Sequence, residues 1–149
     1  YNYRIDEIRA ALGLVQLDKL AGNNARRQAL TQRYWQALES APLELPFCNL
    51  ERTPEMQPAY HIFPALLPDG VDRKAFIDQL RAAGVQTSIH YPPIHQFSYY
   101  RQRCPGVSLP RTEAVARREI TLPLYPGMDA AAFELVVETV KAALRQPPA

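Results

Sequence analysis

The chain has little cysteine, little lysine, little net charge and no long apolar run. Each shortage removes a class of function. Cys48 and Cys104 are the two cysteines; they lie far apart, show no CxxC spacing and cannot define a disulfide framework. They read as reduced thiols of a cytosolic protein. The three lysines, Lys19, Lys74 and Lys141, stand at helical positions with no site signature around them, so Schiff-base chemistry has poor candidates. Net charge is +2 and the pI is near 8.6, too mild to indicate a nucleic-acid partner. No apolar run approaches the ~18 residues of a membrane-spanning helix, so no membrane partner is expected. The start, Tyr1-Asn2-Tyr3-Arg4, has no initiator Met, basic leader or apolar signal core, as expected of a piece of a longer protein.

What is present suits a packed domain. The 149 residues are 47% hydrophobic and 21% charged, which argues against disorder. A chain of this length hides roughly two-thirds of its unfolded surface.

Periodicity predicts a first helix from Asp6 to Leu20, with Asp6 as N-cap and Glu7 in the first turn. Ile8, Leu12 and Val15 recur at helical spacing, and Ala10, Ala11, Leu14 and Leu17 spread the apolar surface around most of the helix. Such a helix is expected to pack against a partner domain or subunit, with Gly13 marking close approach of another backbone. Gly22, Asn23 and Asn24 are expected to end it and start a second helix reaching Ala41, with Leu30, Tyr34 and Leu38 on one face and Arg26, Arg27 and Arg33 on the wet one. A loop to Pro58 follows, then a strand over Ala59 to Leu67, where Pro64 indicates an edge or a bulge. Asp72 caps a helix ending at Gly84. The alternation from Val85 to His90 predicts a strand with Gln86, Ser88 and His90 on its polar face. Tyr91 to Leu109 reads as a long loop, functional by its length. A helix over Pro110 to Arg118, a strand over Ile120 to Leu122 and an Asp129-capped helix carrying Phe133, Val136, Val137, Val140 and Leu144 complete the chain. The expected fold is α/β, in the two-layer α+β sense.

Three clusters can carry chemistry. In an extended lead-in, Asn2 and Arg4 point the same way. An amide and a guanidinium before a helix suit phosphate or carboxylate, unless the terminus is frayed and solvated. In His90-Tyr91-Pro92-Pro93-Ile94-His95 the prolines stiffen the loop, and the histidines can donate to an anion, relay a proton, or merely hydrogen-bond within the loop. Zinc held by His61, His90 and His95 lacks the usual short ligand spacing. Phe97 to Arg103 is an aromatic and arginine stretch that suits base stacking or equally a loop anchored by its own rings. The fourteen arginines against three lysines fit either phosphate recognition or codon bias.

The stretch Asn2-Tyr3-Arg4-Ile5-Asp6-Glu7-Ile8-Arg9-Ala10-Ala11-Leu12-Gly13 resembles NYRMSEIQAALG of the DegT/DnrJ/EryC1/StrS sugar aminotransferases, enzymes that use pyridoxal 5'-phosphate (PLP). The resemblance continues at Gln16 to Leu20, Arg26-Arg27, Ala59 to Phe63, Ile89 to His95 and Thr121 to Met128. It covers almost the whole chain, in the family's order. It implies the small C-terminal domain of a fold-type I aminotransferase over residues 1–149: a short, mainly antiparallel sheet packed with helices and led by a long interface helix. The large cofactor-binding domain would lie upstream. It further implies a cytoplasmic homodimer formed through the first helix. Asn2 would contact the cofactor phosphate of the neighbouring subunit. Arg4, His90 and Tyr91 would approach a nucleotide-sugar substrate, with His95 in a recurrent family position beside them.

In the family, the lysine that holds the cofactor lies upstream of the position of Asn2, so this chain alone is expected not to transaminate. Glutamate or glutamine would be the amino donor and a keto group on a nucleotide-linked sugar the acceptor. The same scaffold also serves sugar dehydratases, in which a histidine replaces that lysine. A non-catalytic binding or regulatory module is the third reading.

Overall fold

Asp6 starts the first helix as expected, its Oδ1 accepting the Arg9 amide at 2.8 Å. In this computed structural model, which describes residues 3–51, 53, 55–56 and 58–145, that helix does not stop at Leu20. Helix α1 runs unbroken over Glu7–Ala37, about 46 Å at 1.5 Å per residue. The expected break at Gly22-Asn23-Asn24 is therefore corrected. The Asn24 side chain is taken by the Arg27 guanidinium one turn on, so it does not compete for the backbone. Arg27 Nε also donates to the Ala59 carbonyl at 3.0 Å, tying the middle of α1 to the later chain.

The two halves of α1 have different surroundings. Leu30 and Tyr34 are buried, as is Leu38 just beyond the helix. The first half stands clear of the chain: Ile8 is 83% exposed, Leu12 60% and Leu17 63%. Beyond its own helix backbone, no described residue comes within 4 Å of a Cβ built on Gly13, so the close approach expected there involves none of the described residues.

The sheet has two antiparallel strands, β1 (Phe63–Leu66) and β2 (Glu119–Leu122), paired Phe63 with Leu122 and Leu66 with Glu119. The strand expected over Ala59 to Leu67 is shorter at its start because Tyr60 sits at φ 48°, outside extended space. Pro64 lies opposite Thr121 within this small sheet. The expected strand over Val85 to His90 is corrected to a single bridge, Ser88 with Thr121.

Asp72 caps α2 (Arg73–Ala82) through the Ala75 amide, and Asp129 caps α5 (Ala130–Arg145) through the Ala132 amide. Gly84, at φ 84°, turns the chain after α2. Its amide bonds Arg81 O and the Val85 amide bonds Leu80 O, both at 2.9 Å, which is a Schellman closure. That closure buries Val85 and sends residues 85–90 along β2.

The segment read as a long loop is partly helical. It holds a 3₁₀ turn at Ile94–Gln96 and a short helix α3 at Ser98–Arg103. Helix α4 (Pro110–Arg118) then runs directly into β2. Arg73 holds that junction from α2, donating to the carbonyls of Ala116 and Glu119. The core gathers Tyr34, Phe63, Phe76, Leu80, Ile120, Leu122, Phe133, Val137 and Val140 between the sheet and α1, α2 and α5. The fold is a mixed α+β unit with a short antiparallel sheet, in line with the expected class.

Candidate functional site

The Ser88–Thr121 bridge sets the register of the site. Two residues further on, antiparallel pairing brings His90 opposite Glu119. The His90 amide donates to Glu119 Oε2 at 2.9 Å. Alternate residues of β2 share a face, so Thr121 stands beside Glu119 and its hydroxyl donates to Glu119 Oε1 at 2.6 Å. His90 Nδ1 lies 2.9 Å from that same Thr121 oxygen and 3.4 Å from Ser88 Oγ. Glu119 is only 5% exposed, and each of its side-chain oxygens has a hydrogen-bond donor.

Tyr91 follows with its ring edge-on to His90 at 4.8 Å, and it is 71% exposed. His90 and Tyr91 line a cleft of about 550 Å³ together with Arg111, Thr112, Val115 and Glu119. A guanidinium, a hydroxyl, an imidazole and a phenol around a largely apolar floor suit a polar, anionic ligand with a hydrophobic face. On its other side His90 borders a cleft of about 190 Å³ with His61, Gln86 and Ser88.

His95 goes elsewhere. Its Nε2 lies 2.9 Å from Glu113 Oε1, its side chain is 11% exposed, and it faces a separate cavity with Arg101 and Cys104. Glu113 also accepts the Leu109 amide at 2.9 Å. That amide first, and His95 second, hold the Glu113 carboxyl below the ordinary carboxylate range. This pair closes the segment between the 3₁₀ turn and α4. The rings of Phe97, Tyr99 and Tyr100 remain exposed, so they do not anchor the loop by burial.

Arg4 is exposed in the lead-in to α1, and Asn2 lies outside the described residues. The structure thus brings His90 and Tyr91 together, sets His95 apart from them, and adds Glu119, Thr121, Arg111 and Thr112, which the sequence reading passed over. A signal for two of these was present: Glu119 and Thr121 alternate on a strand, as Ser88 and His90 do. Among the described residues, no three His, Cys, Asp or Glu side chains converge to hold a metal ion. No helix among those residues is long and apolar enough to cross a membrane.

These features fit one class of protein. The DegT/DnrJ/EryC1/StrS aminotransferase family matches residues 1–141, and the chain belongs to that family. Solved structures agree. The chain is 31% identical to DesV from S. venezuelae, covering 96% of this chain and 38% of that one, with a TM-score of 0.83. It is 26% identical to the sugar aminotransferase CalS13 from Micromonospora echinospora, over 95% of this chain and 36% of that one, with a TM-score of 0.80. Spr1654 from Streptococcus pneumoniae, solved in its PLP form, shares the fold at 24% identity and a TM-score of 0.85, over 98% of this chain and 37% of that one. The chain therefore spans little more than a third of these relatives.

The family's enzymes depend on PLP, but the described residues do not make a covalent site for it. Lys74 is held charged by Asp78 at 2.5 Å, a bond that raises its affinity for the proton. Lys141 lies 3.8 Å from Glu138, and Lys19 is exposed on α1. A Schiff-base amine needs the opposite setting, desolvated or beside another cation.

Proposed function

We propose that this chain is the substrate-positioning and subunit-contacting part of a PLP-dependent aminotransferase acting on a nucleotide-linked sugar. In this reading residues 1–149 are the small C-terminal domain with its leading helix, and the amino donor is glutamate or glutamine. The enzyme is a cytoplasmic homodimer. The observation that carries the reading is the His90–Tyr91 pair, fixed by Glu119 at the mouth of the cleft shared with Arg111 and Thr112. It lies in a motif that resembles the family's.

When bound, PLP supplies the electron sink for amino transfer. The residues of this chain position rather than break bonds. Asn2 grips the cofactor phosphate of the neighbouring subunit, while Arg4 takes an anionic group of the sugar nucleotide. His90 and Tyr91 bond and flank the substrate, while His95, bonded to Glu113 and set apart from that cleft, stabilises the adjoining loop. The exposed apolar residues of α1, Ile8, Leu12 and Leu17 among them, support burial against the twin subunit or the large domain. Positioning of this kind is worth about a hundredfold in rate.

The test is His90→Ala in the full-length protein. The Michaelis constant for the sugar nucleotide should rise about tenfold, with the amino-donor half-reaction unchanged. An unaltered constant would remove His90 from the substrate site.

A further inference from the structure

We propose that Glu119, acting through Thr121, fixes the tautomer of His90, so that Nε2 meets the substrate as a hydrogen-bond acceptor and its partner is a donor, a sugar hydroxyl. The inference rests on the reading that places substrate at His90, and it deepens that reading.

Hydrogen counting carries the argument. An ionised carboxylate only accepts. The Thr121 hydroxyl donates to Glu119 Oε1 at 2.6 Å. The single hydroxyl proton of Thr121 is thereby committed. Its oxygen, 2.9 Å from His90 Nδ1, has only lone pairs left to offer, so Nδ1 must carry the ring proton. Ser88 Oγ, at 3.4 Å, is a distant second neighbour. In neutral imidazole the other nitrogen then has no hydrogen. Nε2 has no bonding partner among the described residues, and the ring borders the cleft shared with Tyr91, Arg111 and Thr112. The second oxygen of Glu119 holds the His90 amide, so backbone and ring are set by one carboxylate. Glu119 is a positioning residue, since it acts on the ligand only through the imidazole.

The relay has a direction that can be reversed. In Glu119→Gln, the amide oxygen still accepts from the His90 amide, but its nitrogen donates to Thr121. The Thr121 hydroxyl is freed to donate to Nδ1, and the ring proton moves to Nε2. Thr121→Val removes the relay atom with little change of shape, and Thr121→Ser restores it.

The experiment uses the full-length protein, labelled with ring ¹⁵N-histidine, at about pH 8, where an ordinary imidazole is neutral. Two-bond proton–nitrogen correlations report each tautomer without any substrate, and loss of the signals in His90→Gln assigns His90. Expected are the Nδ1–H pattern in the wild type and in Thr121→Ser, the Nε2–H pattern in Glu119→Gln, and loss of Nδ1–H dominance in Thr121→Val. An Nε2–H wild type, or an unshifted pattern in Glu119→Gln or Thr121→Val, overturns the proposal. If Glu119→Gln does not fold, the two Thr121 variants decide alone. A tautomer switch combined with an unchanged Michaelis constant in His90→Ala overturns the substrate reading, and with it the hydroxyl partner, while the relay stands. A raised constant with no switch does the reverse.

Discussion

The hydroxyl of Tyr34 donates to the carbonyl of Pro123 at 2.9 Å, joining the packed end of α1 to the turn after β2. Its ring sits between Phe63 and Phe133, each with a centroid 4.6 Å away. Burial pushes the phenol well above its ordinary range, so it stays a neutral donor at any physiological pH. Tyr34→Phe keeps the ring contacts and strands a polar carbonyl. It should cost about 1 kcal/mol in urea unfolding of the full-length protein. No loss of stability would show that the bond contributes nothing.

Two glycines should respond in opposite ways. Gly22 lies within α1 and, beyond its own helix backbone, no described residue comes within 4 Å of an added Cβ, so Gly22→Ala should stabilise by about 0.5–1 kcal/mol. Gly84 holds φ 84° at the turn after α2, where a side chain is strained, so Gly84→Ala should destabilise by about 1–2 kcal/mol. Thermal unfolding of both variants checks the pair. A destabilising Gly22→Ala would contradict an open, unbroken α1 at that position.

Glu113 gives a pH dependence of definite sign. Its folded-state carboxyl is held below the ordinary 4.5, first by the Leu109 amide. The stabilisation is therefore present above pH 4.5 and is lost as pH falls through the lower folded-state value. Glu113→Gln should be less stable than the wild type near pH 6, with the gap narrowing as the pH is lowered below 4.5. Unfolding midpoints across that range measure it, and a constant gap would deny the linkage.

Arg4→Ala in the full-length protein should raise the Michaelis constant for the sugar nucleotide about tenfold or more, as expected for loss of a charged contact worth about 1.5–3 kcal/mol. Dimerisation should be intact by size-exclusion chromatography. A normal constant would place Arg4 outside the substrate site.

Local signals were legible in the sequence wherever one side chain decides the outcome. Asp6, Asp72 and Asp129 each cap the helix assigned to them. Val85, Ser88 and His90 alternate as read, although they make one bridge and not a strand. The break expected at Gly22 failed because weak propensity was outweighed by helix continuity and by Arg27, whose partners Asn24 and Ala59 no periodicity reveals. Glu119 was missed for a similar reason. Its role depends on the register between β2 and residues 85–90, which is a tertiary fact. The separation of His90 from His95 arises likewise from Glu113, drawn to His95 by the start of α4.

A crystal structure of the full-length dimer with PLP and a nucleotide sugar tests the central claim most directly. The account predicts Arg4 and His90 within about 3.5 Å of the sugar nucleotide and Asn2 on the cofactor phosphate of the opposite subunit. A ligand bound away from all three, with the lead-in to α1 facing bulk water, would contradict it.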